Sequence, residues 1–425
     1  MSTAGGRVLD RLFVWVWLPG TVDPVVAGVL DRAAEPVNGE PALLFTYARS
    51  YRERHDAISL FAAELPLQAG TFDPGVPATG RAPLPVHSCL RDAAPDAWGR
   101  RVLNLRHAGD PNVELSEMTY LAASGSDRIG ALDFQLSATQ YEPRGRPATL
   151  DQLIRAAEII EAGRDLPDDL AAAAGHGTSI GGARPKALLQ DGRRSLIAKF
   201  PSTTDTRPVV KAEGLATVLA GHVGITVPAA DVVVAAGRDV LLLERFDRGP
   251  AGERRLMLSA LTILGLHEMH ARHSSYTDIA DAIRTGPWSD VAQSLRELFL
   301  RLVFNVCIGN TDDHLRNHAA FWDGQRLTLT PAYDLSPQPR STSVATHAIG
   351  ITRDGQRYSQ LRLCRAAAAE FGISRADADA TIDHVIGTIE REWQQACDGN
   401  RLTTQEAAGL RGREFLNPYI FYDEP

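Results

Sequence analysis

Residues 298–337, LFLRLVFNVCIGNTDDHLRNHAAFWDGQRLTLTPAYDLSP, constrain this chain more than any other stretch. Leu298, Leu302, Val303 and Val306 recur at helical spacing, and Gly309 follows where a left-handed residue closes a helix. The polar segment Asn310-Thr311-Asp312-Asp313-His314-Leu315-Arg316-Asn317 comes next. Two short β-type runs flank Asp323-Gly324, a dipeptide suited to a tight hairpin. A further acid, Asp334, stands at the end of the second run.

Helix, acidic loop, hairpin and acid are parts that phosphoryl transfer needs. One carboxylate must accept or orient the proton of the attacking hydroxyl. An asparagine and a second carboxylate must hold Mg²⁺ on the nucleotide phosphates. Protein kinases place the loop asparagine five positions after the catalytic aspartate. Asp312 and Asn317 have that spacing, and Asp334, like the kinase metal aspartate, follows a hairpin. Asp and Asn also serve plain turn geometry in a capped loop joining a helix to a hairpin. The loop alone does not choose between the two.

A length of 425 residues exceeds what one simple core needs, so more than one lobe is expected. Charged residues make up 23% of the chain and apolar ones 44%, as in ordinary globular proteins. A net charge of −8 argues against a dedicated nucleic-acid binder. Cys89, Cys307, Cys364 and Cys397 form no C-x-x-C pair and suit free thiols in a reducing compartment. The apolar run Leu12–Leu18 is short and preceded by Asp10 and Arg11, which suits a strand and neither a signal peptide nor a membrane span. A cytoplasmic protein without membrane contact is expected. Of 44 basic residues, only Lys186, Lys199 and Lys211 are lysines; the other 41 are arginines. A lone ammonium on a flexible stem suits a single phosphate contact, so these three become candidates.

Taken in order, residues 7–47 suggest a small antiparallel sheet, Phe13–Leu18, Val25–Leu30 and Ala42–Tyr47. The Gly/Pro-rich passage Leu65–Pro85 is expected to be irregular and exposed. A helix is expected over Leu90–Leu105, a strand over Ile129–Leu136 and an amphipathic helix over Leu150–Glu161. In Thr178–Lys186, Gly181 and Gly182 beside Ser179 would let backbone N–H groups approach a phosphate, though the order is not that of a Walker loop. A hairpin is expected at Asp191-Gly192, its second strand carrying Lys199 among apolar neighbours. That ammonium needs partners, and bound phosphates with a helix glutamate would supply them. Glu213 opens the next helix, which Gly224 ends; it is the expected partner of Lys199 from element order. Strands at Val227–Ala235 and Asp239–Leu243 lead into Glu244-Arg245-Phe246-Asp247-Arg248. Glycine loop, lysine strand, glutamate helix, two strands and polar link follow one another as in a kinase small lobe. From Leu256 the chain is expected to be helical, beginning with Leu256–Leu266. His267, His270 and His273 lack zinc-motif spacing and suit a solvated loop.

With these residues in place the chain resembles the HipA family, kinase toxins of bacterial toxin–antitoxin modules. The motifs are Leu65-Pro66-Leu67-Gln68, Pro95–Arg100, Arg128–Leu132, Ser179–Lys186, Glu244–Arg248, Asn310–Asn317 and Tyr333-Asp334. The resemblance implies an α+β, protein-kinase-like two-lobed fold with a mostly helical C-terminal lobe. The expected division is 1–109 as a β-rich N-terminal subdomain, 110–248 as the small lobe and 249–425 as the helical lobe. It implies an ATP- and Mg²⁺-dependent serine/threonine protein kinase with Asp312 as base and Asn317 and Asp334 as metal ligands. Lys199 would contact phosphate, Lys186 would end the glycine-rich loop, and Glu244 and Phe246 would hold adenine through their backbones. Asp247 would approach the ribose. Ser179 falls where members autophosphorylate, a modification that ejects the loop and silences the kinase. Arg184-Pro185 departs from some members and bears on that step. Asp313 adds a carboxylate that would raise the proton affinity of one of the pair if their side chains are close. The implied partners are a separately encoded helix-turn-helix antitoxin, HipB-like, and a protein substrate such as an aminoacyl-tRNA synthetase. DNA would be reached only through the antitoxin. A small-molecule kinase, or a non-catalytic scaffold of a repressor complex, are the alternatives.

Overall fold

The computed structural model describes residues 9–37, 40–76, 81–145, 148–164, 167, 170, 184–340 and 344–422. The chain forms two compact units, Met1–Arg193 with Asp247–Met257, and Arg194–Phe246 with Leu258–Pro425.

The first unit is built on a five-stranded antiparallel sheet. Its strands are β1 (Arg11–Val16), β2 (Val25–Val37), β3 (Glu40–Tyr47), β4 (Thr71–Phe72) and β5 (Leu132–Gln135), in the order β4-β3-β2-β1-β5. Alternation along β1 sends Leu12, Val14 and Val16 into the core with no exposed surface. Gly28 of β2 stands where a Cβ would come within 2.3 Å of the Thr46 carbonyl oxygen, so only glycine fits that strand crossing. The three N-terminal strands were expected, and so was the largely irregular, surface-lying course of the described part of Leu65–Pro85. It departs from that at a few points: Thr71–Phe72 pairs with β3, the Leu43 N–H donates to the Pro85 carbonyl at 2.7 Å, and Leu65 and Leu84 are buried. The helix expected over Leu90–Leu105 is broken into Ser88–Arg91 and Ala97–Ala108. Pro95 lacks an N–H and displaces its predecessor from helical geometry, and Gly109 at φ +69° closes the second piece.

The second unit begins with an antiparallel pairing. With the strand of the first unit at Lys186–Asp191 as β6, its strands are β7 (Arg194–Lys199), β8 (Ala230–Ala235) and β9 (Arg238–Glu244), with β9 paired to both others. Gly192 adopts φ +57°, the geometry expected of a turn at Asp191-Gly192. Val210, Val232, Leu241 and Leu243 pack together, with Ile197 and Ala230 against them. That core fixes the helix Val209–His222, which is almost wholly buried. The remainder is mostly helical, notably Tyr276–Thr285, Val291–Cys307 and Arg375–Gly399. The expected helix Leu256–Leu266 is instead a strand, β10 (Leu256–Ser259), and a short helix, Ala260–Leu264. Ser259 caps that helix by accepting from the Thr262 N–H, so helix starts only after it. A run of three apolar residues, Leu256–Leu258, carries no period that separates strand from helix.

β11 (Ala319–Trp322) and β12 (Leu327–Leu329) form the hairpin expected at Asp323-Gly324. Asp323 Oδ1 accepts from the N–H groups of Gln325 and Arg326, and Gly324 has φ +100°. The content is therefore α+β, with antiparallel sheets and separate runs of helix. Among the described residues no helix is long and apolar enough to cross a membrane.

Gly309 ends Val291–Cys307 at φ +66°, and a Cβ there would meet the Glu414 carbonyl oxygen at 2.7 Å. Gly309→Ala is expected to lower unfolding stability by about 2 kcal/mol or more, through strain and overlap together. An unchanged urea midpoint would contradict this reading of the helix end.

Candidate active site

Lys199 projects from the end of β7, and Glu213 lies in the first half of the helix Val209–His222. Lys199 Nζ donates to Glu213 Oε1 and, at 2.6 Å, to Asp334 Oδ1. Burial disfavours the ammonium, but the Asp334 and Glu213 carboxylates outweigh it, and the lysine is held charged, above its ordinary range. Glu213 is 6% exposed and Asp334 42%, so one carboxylate is a buried counter-ion and the other faces solvent. Asp334 has φ +59°, a left-handed conformation that a non-glycine residue adopts only where its surroundings compel it.

Two hydrogen bonds bring the aspartate loop to this point, close enough for the Asp312 and Asp334 carboxylates to repel. Tyr333 donates its hydroxyl to the Arg316 carbonyl at 2.5 Å, fixing the residue before Asp334 to the residue before Asn317. Asn310 Nδ2 reaches the Asp334 carbonyl at 3.4 Å. Asn317 is buried in a single 3₁₀ turn, Leu315–Asn317. Asp312 is solvent-accessible, yet surrounding protein strips part of its hydration. That desolvation, with Asp334 and Asp313 adding and His314 opposing, raises its carboxyl above the usual aspartate range.

Asp313 turns the other way and is 2% exposed. Its Oδ2 accepts from the Tyr276 hydroxyl and from His318 Nε2 at 2.8 Å. Burial alone would raise this carboxyl; the His318 charge and the two hydrogen bonds hold it below the ordinary range. Of the adjacent pair, Asp312 is therefore the one with increased proton affinity, and burial is the main cause.

At the end of β9 the Glu244 side chain meets Arg194 at 3.2 Å on the surface, and its backbone N–H donates to the Ala229 carbonyl at 2.9 Å. The Phe246 ring lies 6.0 Å from Phe321 and 5.8 Å from Tyr333. Lys211 is committed to ion pairs with Glu406 at 3.1 Å and Asp239 at 3.2 Å. Two expected residues belong to the first unit. Asp247 is buried, accepting from the Gly130 N–H at 2.8 Å and Arg248 Nη1 at 3.0 Å; Lys186 is buried, and its carbonyl accepts from Trp98 Nε1. Ser179, Gly181 and Gly182 lie outside the described residues. His267 caps the short helix Glu268–Ala271 through Nδ1.

The oxygen donors Asn317 and Asp334 are of the hard type that Mg²⁺ takes. Sequence reasoning gave no role to Tyr276, Asn305 or His318, while Asn310 and Tyr333 lay inside the motifs it singled out without a role of their own. Tyr276 and Asn305 sit within helix patterns that carry no such signal.

An ammonium strand, a glutamate helix and an acid after a hairpin define the kinase-like class of α+β proteins. A family model described as the HipA-like C-terminal domain matches residues 178–393, and one described as the HipA N-terminal domain matches residues 17–135. The chain belongs to the HipA family. Among solved structures it shares its fold with HipA of Shewanella oneidensis, from a complex of HipA, HipB and operator DNA. That superposition has a TM-score of 0.67, with 94% of each chain covered at 18% identity. It is also 27% identical over 256 residues to the protein named Putative kinase Y4mE of Sinorhizobium fredii. That match covers 52% of this chain and 57% of the relative.

Raised proton affinity at Asp312 means that the folded state binds this proton more tightly than the unfolded chain, so ionised Asp312 costs stability at neutral pH. Asp312→Asn is expected to raise the thermal midpoint at pH 7. The gain should shrink as pH falls through the carboxylate range and vanish below about pH 4. A gain independent of pH, or a loss at pH 7, would contradict the assigned environment.

Proposed function

We propose that the chain is an ATP- and Mg²⁺-dependent serine/threonine protein kinase, a HipA-like toxin that arrests growth by phosphorylating a cellular protein. The observation that carries this reading is the Lys199–Glu213–Asp334 cluster, with Asp334 held in left-handed backbone beside the Asp312 loop.

Lys199, oriented by Glu213, contacts the nucleotide phosphates as a point charge. Asp334 and Asn317 would hold Mg²⁺, which would supply charge neutralisation at the phosphates. Asp312 accepts the proton of the substrate hydroxyl as its oxygen attacks the terminal phosphorus and the bond to the leaving diphosphate breaks. A carboxyl of raised proton affinity suits that task. The backbones at Glu244 and Phe246 take the adenine, and the Phe246 ring, packed on Tyr333, ties that link to the segment that carries Asp334. Asp247 supports the link from the ribose side. Gly181, Gly182 and Lys186 belong to the phosphate loop, and Ser179 on it is the site of self-phosphorylation. The domain division at 109 and 248 goes with this reading.

A separately encoded HipB-like antitoxin is the proposed partner. The Shewanella relative, solved with HipB and operator DNA, supports that reading, with DNA reached through the antitoxin. An aminoacyl-tRNA synthetase is the kind of protein target the family resemblance offers.

Phosphate incorporation from Mg·ATP, followed by intact mass, tests the activity. Asp312→Ala is expected to lower transfer at least about 1,000-fold with folding retained, since it removes the base. Turnover near wild type would remove Asp312 from its role. Phosphate should map to Ser179 and disappear in Ser179→Ala; incorporation elsewhere at an unchanged rate would dismiss the self-phosphorylation site.

A further inference from the structure

Each of the three residues assigned to proton transfer and metal binding is joined to the same buried polar chain. Asp313, next to Asp312, accepts from His318 Nε2 at 2.8 Å and from the Tyr276 hydroxyl. His318 is next to Asn317. Tyr276 Oη in turn accepts from Asn305 Nδ2 at 3.0 Å, and Asn305 Oδ1 accepts from Asn310 Nδ2 at 3.0 Å. Asn310 Nδ2 also reaches the carbonyl of Asp334 itself at 3.4 Å. Tyr276, Asn305, Asn310, Asp313 and His318 are each 2% exposed or less.

We infer that Asp313 and His318 are positioning residues: with Tyr276, Asn305 and Asn310 they form a clamp that fixes the spacing of Asp312, Asn317 and Asp334. This rests on the proposed phosphoryl-transfer reading for its purpose and on the geometry for its existence. The Asp312–Asn317 loop has little regular structure, one 3₁₀ turn, and needs outside support to hold its side chains. Asp313 crosses beneath that turn to His318 and so ties its two ends together. His318 has Asp313 as its one side-chain hydrogen-bond partner among the described residues. Nδ1 is buried without a partner, and His318 lines a small cavity together with apolar Ala260, Ile279, Trp288 and Leu329. A buried carboxylate with two donors is a strong local anchor, and such supports behind metal ligands govern metal affinity and rate.

The test is amide hydrogen exchange on the full chain without ligand, comparing wild type with His318→Gln, His318→Leu and Tyr276→Phe. Glutamine can place an N–H donor near the Nε2 position, and leucine cannot. His318→Leu and Tyr276→Phe are expected to speed exchange about tenfold across residues 311–318 and 334–336. His318→Gln should stay near wild type. Unchanged exchange in His318→Leu and Tyr276→Phe, or equal loosening in the glutamine and leucine variants, would overturn the clamp. Tyr276→Phe removes only a hydroxyl and keeps the test usable if His318→Leu fails to fold. A second readout separates the clamp from the kinase reading: binding of a non-hydrolysable ATP analogue with and without Mg²⁺. The Mg²⁺-dependent gain in affinity should fall about tenfold in His318→Leu and survive in His318→Gln. A wild type that binds no analogue would end the kinase reading, and the exchange result would still decide the clamp.

Discussion

The ammonium of Lys199 is the interaction on which the second unit depends. A lysine at the end of a strand, with its charge withdrawn from solvent, is costly unless opposed charge meets it. Glu213 and Asp334 do so from different parts of the chain, 14 and 135 residues away. One comes from a buried helix and the other from the segment after a hairpin, so a single cation draws sheet, helix and loop to one point. Replacing it with an apolar side chain would leave a buried glutamate unpaired, which is why a structural role and a catalytic one are hard to separate at this residue. The exposure of Asp334 is what favours catalysis: a purely structural triad would bury both acids.

Behind that charged face lies an uncharged-looking core that is in fact polar. Tyr276, Asn305, Asn310, Asp313 and His318 are linked along a continuous path. Buried hydrogen bonds strengthen one another along such a path, so a small displacement of one member weakens the rest. The left-handed backbone at Asp334 fits this picture. Strain there is held by Asn310 at its carbonyl and by Tyr333 at the preceding residue.

Local chemistry was legible in the sequence wherever one or two residues decide the outcome. Gly309 had to close a helix, and Asp323-Gly324 had to turn a hairpin. Lys199 and Glu213 were legible for another reason: in a chain with three lysines, one placed within an apolar strand needs an acid, and the next helix offers one. Leu256–Ser259 was not legible, because three apolar residues and a serine suit strand and helix alike until a neighbour pairs with them. Composition read the described part of Leu65–Pro85 correctly as mostly irregular and at the surface. It could not show which single side chains turn inward, as Leu65 and Leu84 do. The Asp312–Asp313 pair marks the limit most sharply. Adjacent carboxylates are equivalent on paper, and only the position of Tyr276 and His318 decides which faces inward.

The most direct measurement is a crystal structure of the full chain with Mn²⁺ and a non-hydrolysable ATP analogue, with the metal located by its anomalous signal. The account predicts an ion on Asp334 and Asn317, the phosphates at Lys199, and Asp312 facing the terminal phosphate. A bound nucleotide whose metal lies away from Asp334 and Asn317, or whose phosphates lie away from Lys199, would contradict it.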